Sequence, residues 1–165
     1  MGKKVAATVA GRLGRTILEL GGNNAFIVWE DADIEGALRE TFLGAYLTTG
    51  QRCSSTSRIL VHEKRVDEFV DRFHKQAKAF EIGHPLANPF MGPLIDQTTV
   101  DRYMKFTGIA VREGHESIMR GKPLDLEYPG YYVAPSVFYM KEPTLELTRK
   151  SVFQQTEIFS PAVAI

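Results

Sequence analysis

The hydrophobic spacing of this chain switches repeatedly between short apolar runs and helical stripes, and that alternation limits the fold more than any single residue. Residues 16–20, 25–29 and 58–62 are short runs rich in branched and aromatic side chains, bounded by glycine or polar residues, and read as strands. The run 25–29 is apolar throughout and is expected to be largely buried. Asp31 and Asp33 offer N-cap chemistry for a helix over 33–48, with Ile34, Ala37, Leu38, Thr41, Phe42 and Ala45 as its apolar stripe. Residues 64–80 place Val66, Phe69, Val70, Phe73, Ala77 and Phe80 on one helical face. A loop rich in Gly, Pro and Asn over 83–93 precedes a helix over 96–113 that stops at Gly114. Residues 117–120 and 131–140 read as strands, punctuated by Pro129-Gly130 and Pro135, and 162–165 as a strand at the chain end. The pattern predicts an α/β fold with an open, mostly parallel sheet flanked by helices.

At 165 residues the chain is long enough for one domain with a substantial core. Lys+Arg and Asp+Glu are both 20, so no net charge draws it to nucleic acid or to an anionic membrane. No apolar run approaches the ~20 residues that span a bilayer. The two lysines near the start are not followed by the apolar core of a signal peptide, and Ala6 breaks a myristoylation pattern. One cysteine forms no internal disulfide, which fits a reducing compartment. These features together point to a cytoplasmic location. The abrupt apolar end at Ile165 is expected of a chain that continues elsewhere.

That single cysteine, Cys53, lies in Gly50-Gln51-Arg52-Cys53-Ser54, just past the end of a helix and 34 positions after Glu19. The spacing leaves room for one strand, one helix and two turns, so the two side chains can meet over the end of a sheet. A lone cytosolic cysteine is commonly a small buried hydrophobe. The neighbours here are polar, however, and Arg52 favours the thiolate if it turns toward the sulfur. Backbone N–H groups in a tight turn can stabilise an oxyanion. Glu19, between Leu18 and Leu20 and before Gly21-Gly22, is either an acid on the wet face of an edge strand or a base aimed into a cleft. Glu157, in Thr156-Glu157-Ile158-Phe159-Ser160-Pro161, says little by itself. No G-x-G-x-x-G fingerprint or phosphate loop occurs, and the four histidines lack metal-ligand spacing, so no metal is expected.

Taken together, Leu18-Glu19-Leu20-Gly21-Gly22, Asp31-Ala32-Asp33, Gly50-Gln51-Arg52-Cys53, Gly92-Pro93-Leu94-Ile95 and Glu157-Ile158-Phe159-Ser160-Pro161 resemble the aldehyde dehydrogenase superfamily. The resemblance covers essentially the whole chain. It implies Cys53 as the nucleophile that attacks an aldehyde carbon and Glu19 as the base for deacylation. It also implies that Glu157 hydrogen-bonds the nicotinamide-side ribose, with Phe159 packing near the nicotinamide. The Cys53 N–H would form half of an oxyanion hole, whose other half in the family comes from an earlier segment.

Several positions depart from the family pattern. Asn23 stands where Lys is common, Ala25 where Pro is common and Thr48 where Asn is usual. Gly21-Gly22-Asn23-Asn24 looks like the branch that oxidises N-succinylglutamate 5-semialdehyde in arginine catabolism. The implied partners are a small aldehyde and NAD, with NADP not excluded, and no nucleic acid or membrane. Family enzymes are roughly three times this long. The resemblance therefore implies a truncated catalytic domain over 1–165, lacking the nucleotide-binding domain and a C-terminal oligomerisation strand. Such a chain is expected to bind NAD weakly or not at all, while the parent enzyme is expected to be a homo-oligomer. Other readings stay open: another semialdehyde dehydrogenase, a non-catalytic use of the same fold, or a cysteine esterase.

Overall fold

Strands β1 (Asn24–Val28), β2 (Thr56–Val61), β3 (Glu116–Met119), β4 (Ser136–Tyr139) and β5 (Ala162–Ala164) form one sheet in the order β1-β2-β5-β4-β3. The computed structural model describes residues 1–165. Strands β1, β2, β5 and β4 run parallel to one another, and β3 joins β4 antiparallel. The helices are α1 (Gly2–Ala10), α2 (Ile34–Tyr46), α3 (Val66–Ala79), α4 (Gln97–Arg112), α5 (Leu145–Lys150) and α6 (Val152–Gln155).

The period of two in the central strands assigns each face its own core. On one face Val28, Ile59, Val137 and Val163 meet Leu38, Phe42 and Tyr46 of α2 and Phe69 and Phe73 of α3. On the other, Phe138, Ala162 and Ala164 meet Val100, Tyr103 and Ala110 of α4 and Phe153 of α6. Burying side chains of this size stabilises by roughly 1.5–3 kcal/mol each, so the two clusters hold the layers together. Side-chain caps fix the helix starts. The Asp33 carboxylate accepts from Glu35 N–H at 3.1 Å, and that of Asp96 accepts from Thr99 N–H at 2.7 Å. Helix α4 is stopped by Gly114, whose φ of +86° suits glycine.

The structure corrects several expectations. Residues 16–20 form no strand, because no neighbouring strand lies beside them to complete a ladder. Ile17 and Leu20 are exposed there. Strand β1 is not largely buried. It lies at the sheet edge, and Ile27, Trp29 and the neighbouring Leu60 on β2 face outward, uncovered by any helix of the chain. The expected strand over 131–140 contracts to β4, since Pro135 has no N–H to donate. Tyr131 and Val133 make only isolated bridges to Leu94 and Pro123. The small apolar start folds as α1, and α5 and α6 arise in a stretch whose periodicity is too short to read. Strand β5 lies in the middle of the sheet, between β2 and β4.

Candidate active site

Three of the singled-out segments precede three adjacent parallel strands. Gly21-Gly22 leads into β1, the Cys53 turn into β2, and Glu157 to Phe159 into β5. Parallel neighbours begin along the same edge of a sheet, so the topology gathers these segments at the strands' amino ends. Open α/β sheets more often bind ligands at the carboxyl ends.

Cys53 is exposed in a turn closed by Ser55 N–H donating to Arg52 O at 3.1 Å. Ser55 Oγ in turn accepts from Arg52 N–H at 3.2 Å. The Asn24 side-chain amide holds the turn from β1, donating to Cys53 O at 2.6 Å and to Ser55 O at 3.0 Å. The Cys53 N–H donates to no group of the chain.

Upstream of the turn, Thr49 and Gly50 take left-handed φ values of 57° and 67°. Gly50 packs so closely on the Ser160 carbonyl that a Cβ there would overlap backbone. Thr49 Oγ donates to Gly92 O at 3.1 Å, and Gln51 Nε2 donates to Pro93 O at 3.3 Å. Gln51 Oε1 accepts from Ile95 N–H at 3.0 Å. The Gly92-Pro93-Leu94-Ile95 segment is therefore a brace for the cysteine turn.

Glu157 is half-buried, and its Oε1 accepts from Gly22 N–H at 3.1 Å. Neither glycine of that turn tolerates a Cβ freely: one on Gly21 would overlap the Glu157 carboxylate, and one on Gly22 would lie 2.6 Å from Cys53 O. The Gly-Gly turn is thus the place where the Glu157 and Cys53 segments touch. Phe159 has a φ of +59°, a left-handed conformation costing a non-glycine residue roughly 1 kcal/mol or more. It lines the same cleft as Glu157, Gly22 and Arg52.

Glu19 stands apart from this cluster. It is exposed on the irregular segment before Gly21, so the desolvation expected of a cleft-facing base does not come from this chain's own packing. Arg58 is part-buried in the cleft floor and donates through Nη2 to Asn23 O at 2.8 Å. No three His, Cys, Asp or Glu side chains are grouped so as to hold a metal ion. No helix is long and apolar enough to cross a membrane.

Sequence reasoning missed the supports of the site. Asn24 carried no signal beyond its place after Gly-Gly-Asn, and the bracing role of Gln51 depends on a loop more than forty residues away. Asn24→Ala is expected to cost about 1–2 kcal/mol, since Cys53 O loses its donor and Ser55 O keeps only the longer bond from Ser57 Oγ at 3.4 Å. Urea denaturation monitors that cost, and the rate of Cys53 alkylation should change with it as the turn loosens.

The sequence profile of the aldehyde dehydrogenase family matches residues 1–165. The chain belongs to the aldehyde dehydrogenase family. It is 36% identical over 166 residues to a putative aldehyde dehydrogenase family 7 member A1 homolog of Dictyostelium discoideum, covering 100% of this chain and 31% of that protein. It is 38% identical over 138 residues to the alpha-aminoadipic semialdehyde dehydrogenase of Rattus norvegicus, covering 83% of this chain and 25% of that one. A betaine aldehyde dehydrogenase of Staphylococcus aureus, solved in complex with NAD+, superposes with a TM-score of 0.88 at 29% identity. That match covers 99% of this chain and 32% of the other. The chain thus spans about a third of the length of the aldehyde dehydrogenases it matches.

Proposed function

We propose that the protein carrying this chain oxidises an aldehyde to the carboxylic acid with NAD(P)+ as acceptor, and that Cys53 is its nucleophile. The observation that carries this reading is the contact at Gly21-Gly22, where the Glu157 carboxylate and the Cys53 carbonyl both pack on one turn. The residues present fit a nicotinamide cofactor. A carboxylate suited to a ribose diol and an aromatic ring suited to a flat heterocycle line one cleft beside the thiol turn. Glu157 and Phe159 would hold it there.

The Cys53 sulfur attacks the aldehyde carbon, forming an S–C bond, and the former carbonyl oxygen gains negative charge. The Cys53 N–H stabilises that oxygen from the turn that Asn24 holds in place. A bound nicotinamide would supply the hydride acceptor, so that the C–H bond of the adduct breaks, the hydrogen leaves with its electron pair and a thioester remains on Cys53. Glu19 takes a proton from water, the water oxygen bonds to the acyl carbon, the C–S bond breaks, and the acid leaves with Cys53 restored as thiolate. Exposure leaves Glu19 free to swing toward the acyl group in a complete cleft.

For the substrate we infer a semialdehyde carrying a remote carboxylate, and specifically N-succinylglutamate 5-semialdehyde. The Gly21-Gly22-Asn23-Asn24 pattern supports this, as does the guanidinium of Arg52 at the cleft. A second reading, another semialdehyde, is favoured by the 38% identity to an alpha-aminoadipic semialdehyde dehydrogenase. The lone thiol fits a cytoplasmic setting, and the uncovered Ile27, Trp29 and Leu60 fit assembly of the enzyme with further copies. NAD+ contacts from this chain centre on Glu157 and Phe159, so the chain alone is expected to bind NAD+ weakly. Titration calorimetry tests that, and tight binding would contradict it. The substrate reading is tested by kcat/KM for carboxylate-bearing against neutral aldehydes of equal length. A preference of about tenfold or more for the anion is expected, and a preference for the neutral aldehyde would overturn it.

A further inference from the structure

Helix α6, four residues long, leads directly into Glu157, and it is held from a distance. Glu113, just past the end of α4, accepts from Ser151 Oγ–H at 2.7 Å, from Val152 N–H at 2.7 Å and from Phe153 N–H at 3.3 Å. Its carboxylate thus satisfies the first donors of α6 across about forty residues of chain. His115 closes the same corner, with Nε2 3.4 Å from Ser151 Oγ and its ring edge-on to Phe153. Ser151 Oγ donates to Glu113, so the imidazole is the donor to Ser151 through Nε2–H. On its other side α6 is tied to the Gly-Gly turn, where Asn23 Nδ2 donates to Gln154 O at 2.5 Å. Three positions further on, Glu157 accepts from Gly22 N–H on the same turn.

We propose that Glu113 is a positioning residue for the cofactor-facing rim: its carboxylate locks α6 and thereby sets Glu157 against the Gly21-Gly22 turn. The inference rests on the reading that Glu157 faces the ribose of a nicotinamide cofactor. Glu113 touches neither substrate nor cofactor in this account. It acts by fixing the start of the short segment that carries Glu157 and Phe159. Charge-assisted bonds to backbone donors are roughly twice as strong as neutral ones, which suits a clamp on a helix too short to hold itself.

The test is the Gly22 amide of the 165-residue chain, followed by 15N NMR and hydrogen exchange without cofactor. Glu113→Ala is expected to shift the Gly22 and Asn23 resonances and to speed Gly22 exchange about tenfold, as the Glu157 bond is populated less. Glu113→Gln keeps an acceptor oxygen and is expected to fall between. It carries the test alone if Glu113→Ala does not fold. Ala77→Gly, in α3 on the opposite face, serves as a control of similar destabilisation and should leave Gly22 in place. An unmoved Gly22 amide in a folded Glu113 variant overturns the proposal, as does an equal shift in the control. Failure of the underlying reading looks different: Glu157→Ala in the full-length enzyme would leave NAD+ affinity unchanged while the Gly22 result stands.

The same corner makes stability depend on pH. Burial pushes the His115 imidazole below its ordinary value, with Glu113 pulling part of the way back. Burial alone would raise Glu113, but the bonds from Ser151, Val152 and Phe153 outweigh it and leave its carboxyl below the ordinary value. Both groups therefore hold fewer protons folded than unfolded at mildly acidic pH. Their contribution is present at neutral pH. The His115 part is lost as pH falls from about 6.5 through the lowered folded value, and the Glu113 part from about 4.5 downward. The melting temperature is expected to fall in two stages on acidification, and His115→Gln should shrink the upper stage to the part contributed by His74, whose imidazole is also held below its ordinary value by burial and by Lys78. A flat profile between pH 7 and 5 would contradict this.

Discussion

Cys53→Ala is expected to abolish aldehyde oxidation in any protein that turns over aldehyde with this segment in place, with kcat falling by about 10⁴-fold or more. No other side chain of the chain can take over the covalent step. The chain has a single cysteine, and it is exposed on its turn with a backbone N–H that donates to no group of the chain. Glu19→Gln should behave differently. The S–C bond still forms and oxidation still occurs, but water is no longer deprotonated, so a thioester accumulates on Cys53 while turnover falls by about 10²–10⁴-fold. Rapid-quench mass spectrometry separates the two variants: no adduct in the first, a persistent acyl adduct in the second. Unchanged turnover in Glu19→Gln would remove Glu19 from the hydrolytic step and leave the cysteine assignment standing. Adduct formation in Cys53→Ala would remove the cysteine assignment itself.

Gly50→Ala is expected to be the most destabilising small substitution at the site, by about 3 kcal/mol or more. Two effects add there. The backbone holds φ at +67°, which an L side chain resists, and the new Cβ would overlap the Ser160 carbonyl and crowd Pro161 N, which are main-chain atoms with nowhere to move. Gly21→Ala makes a useful contrast. Its Cβ meets the Glu157 carboxylate, the end of a flexible side chain, so the side chain swings away and stability changes little while the Glu157–Gly22 bond is lost. Denaturation midpoints distinguish the two. Nearly equal, small shifts would mean that the cysteine turn is not wedged against the segment leading into β5.

Local pattern was enough to place most of the helices. Of the stripe from Ile34 to Ala45 all but the half-buried Ile34 are buried, and of the face from Val66 to Phe80 the central Phe69, Phe73 and Ala77 are buried while Val66, Val70 and Phe80 are half-buried; Asp33, Asp96 and Gly114 set the boundaries. The sheet was less legible because a strand needs a partner that spacing cannot name. Leu18 and Leu20 have the side chains of a strand and lack the neighbour, whereas Ala162 to Ala164, at the chain end, complete the middle of the sheet. The order β1-β2-β5, which brings the Gly-Gly, Cys53 and Glu157 segments to one edge, depends on contacts between residues more than a hundred positions apart. The braces that hold these segments, Asn24, Gln51 and Glu113, are single polar side chains acting over long sequence separations and leave no periodic trace.

Acylation of Cys53 by p-nitrophenyl acetate in the 165-residue chain reads out whether this fold makes the thiol a carbonyl nucleophile. Peptide mapping locates the acetyl group, and p-nitrophenolate release gives the rate, with no cofactor needed. The account predicts acetylation at Cys53, at least about tenfold faster in the folded chain than in the same chain unfolded in urea, because turn and oxyanion donor exist only when folded. Equal rates in the two states, or acetylation elsewhere with Cys53 untouched, would contradict it.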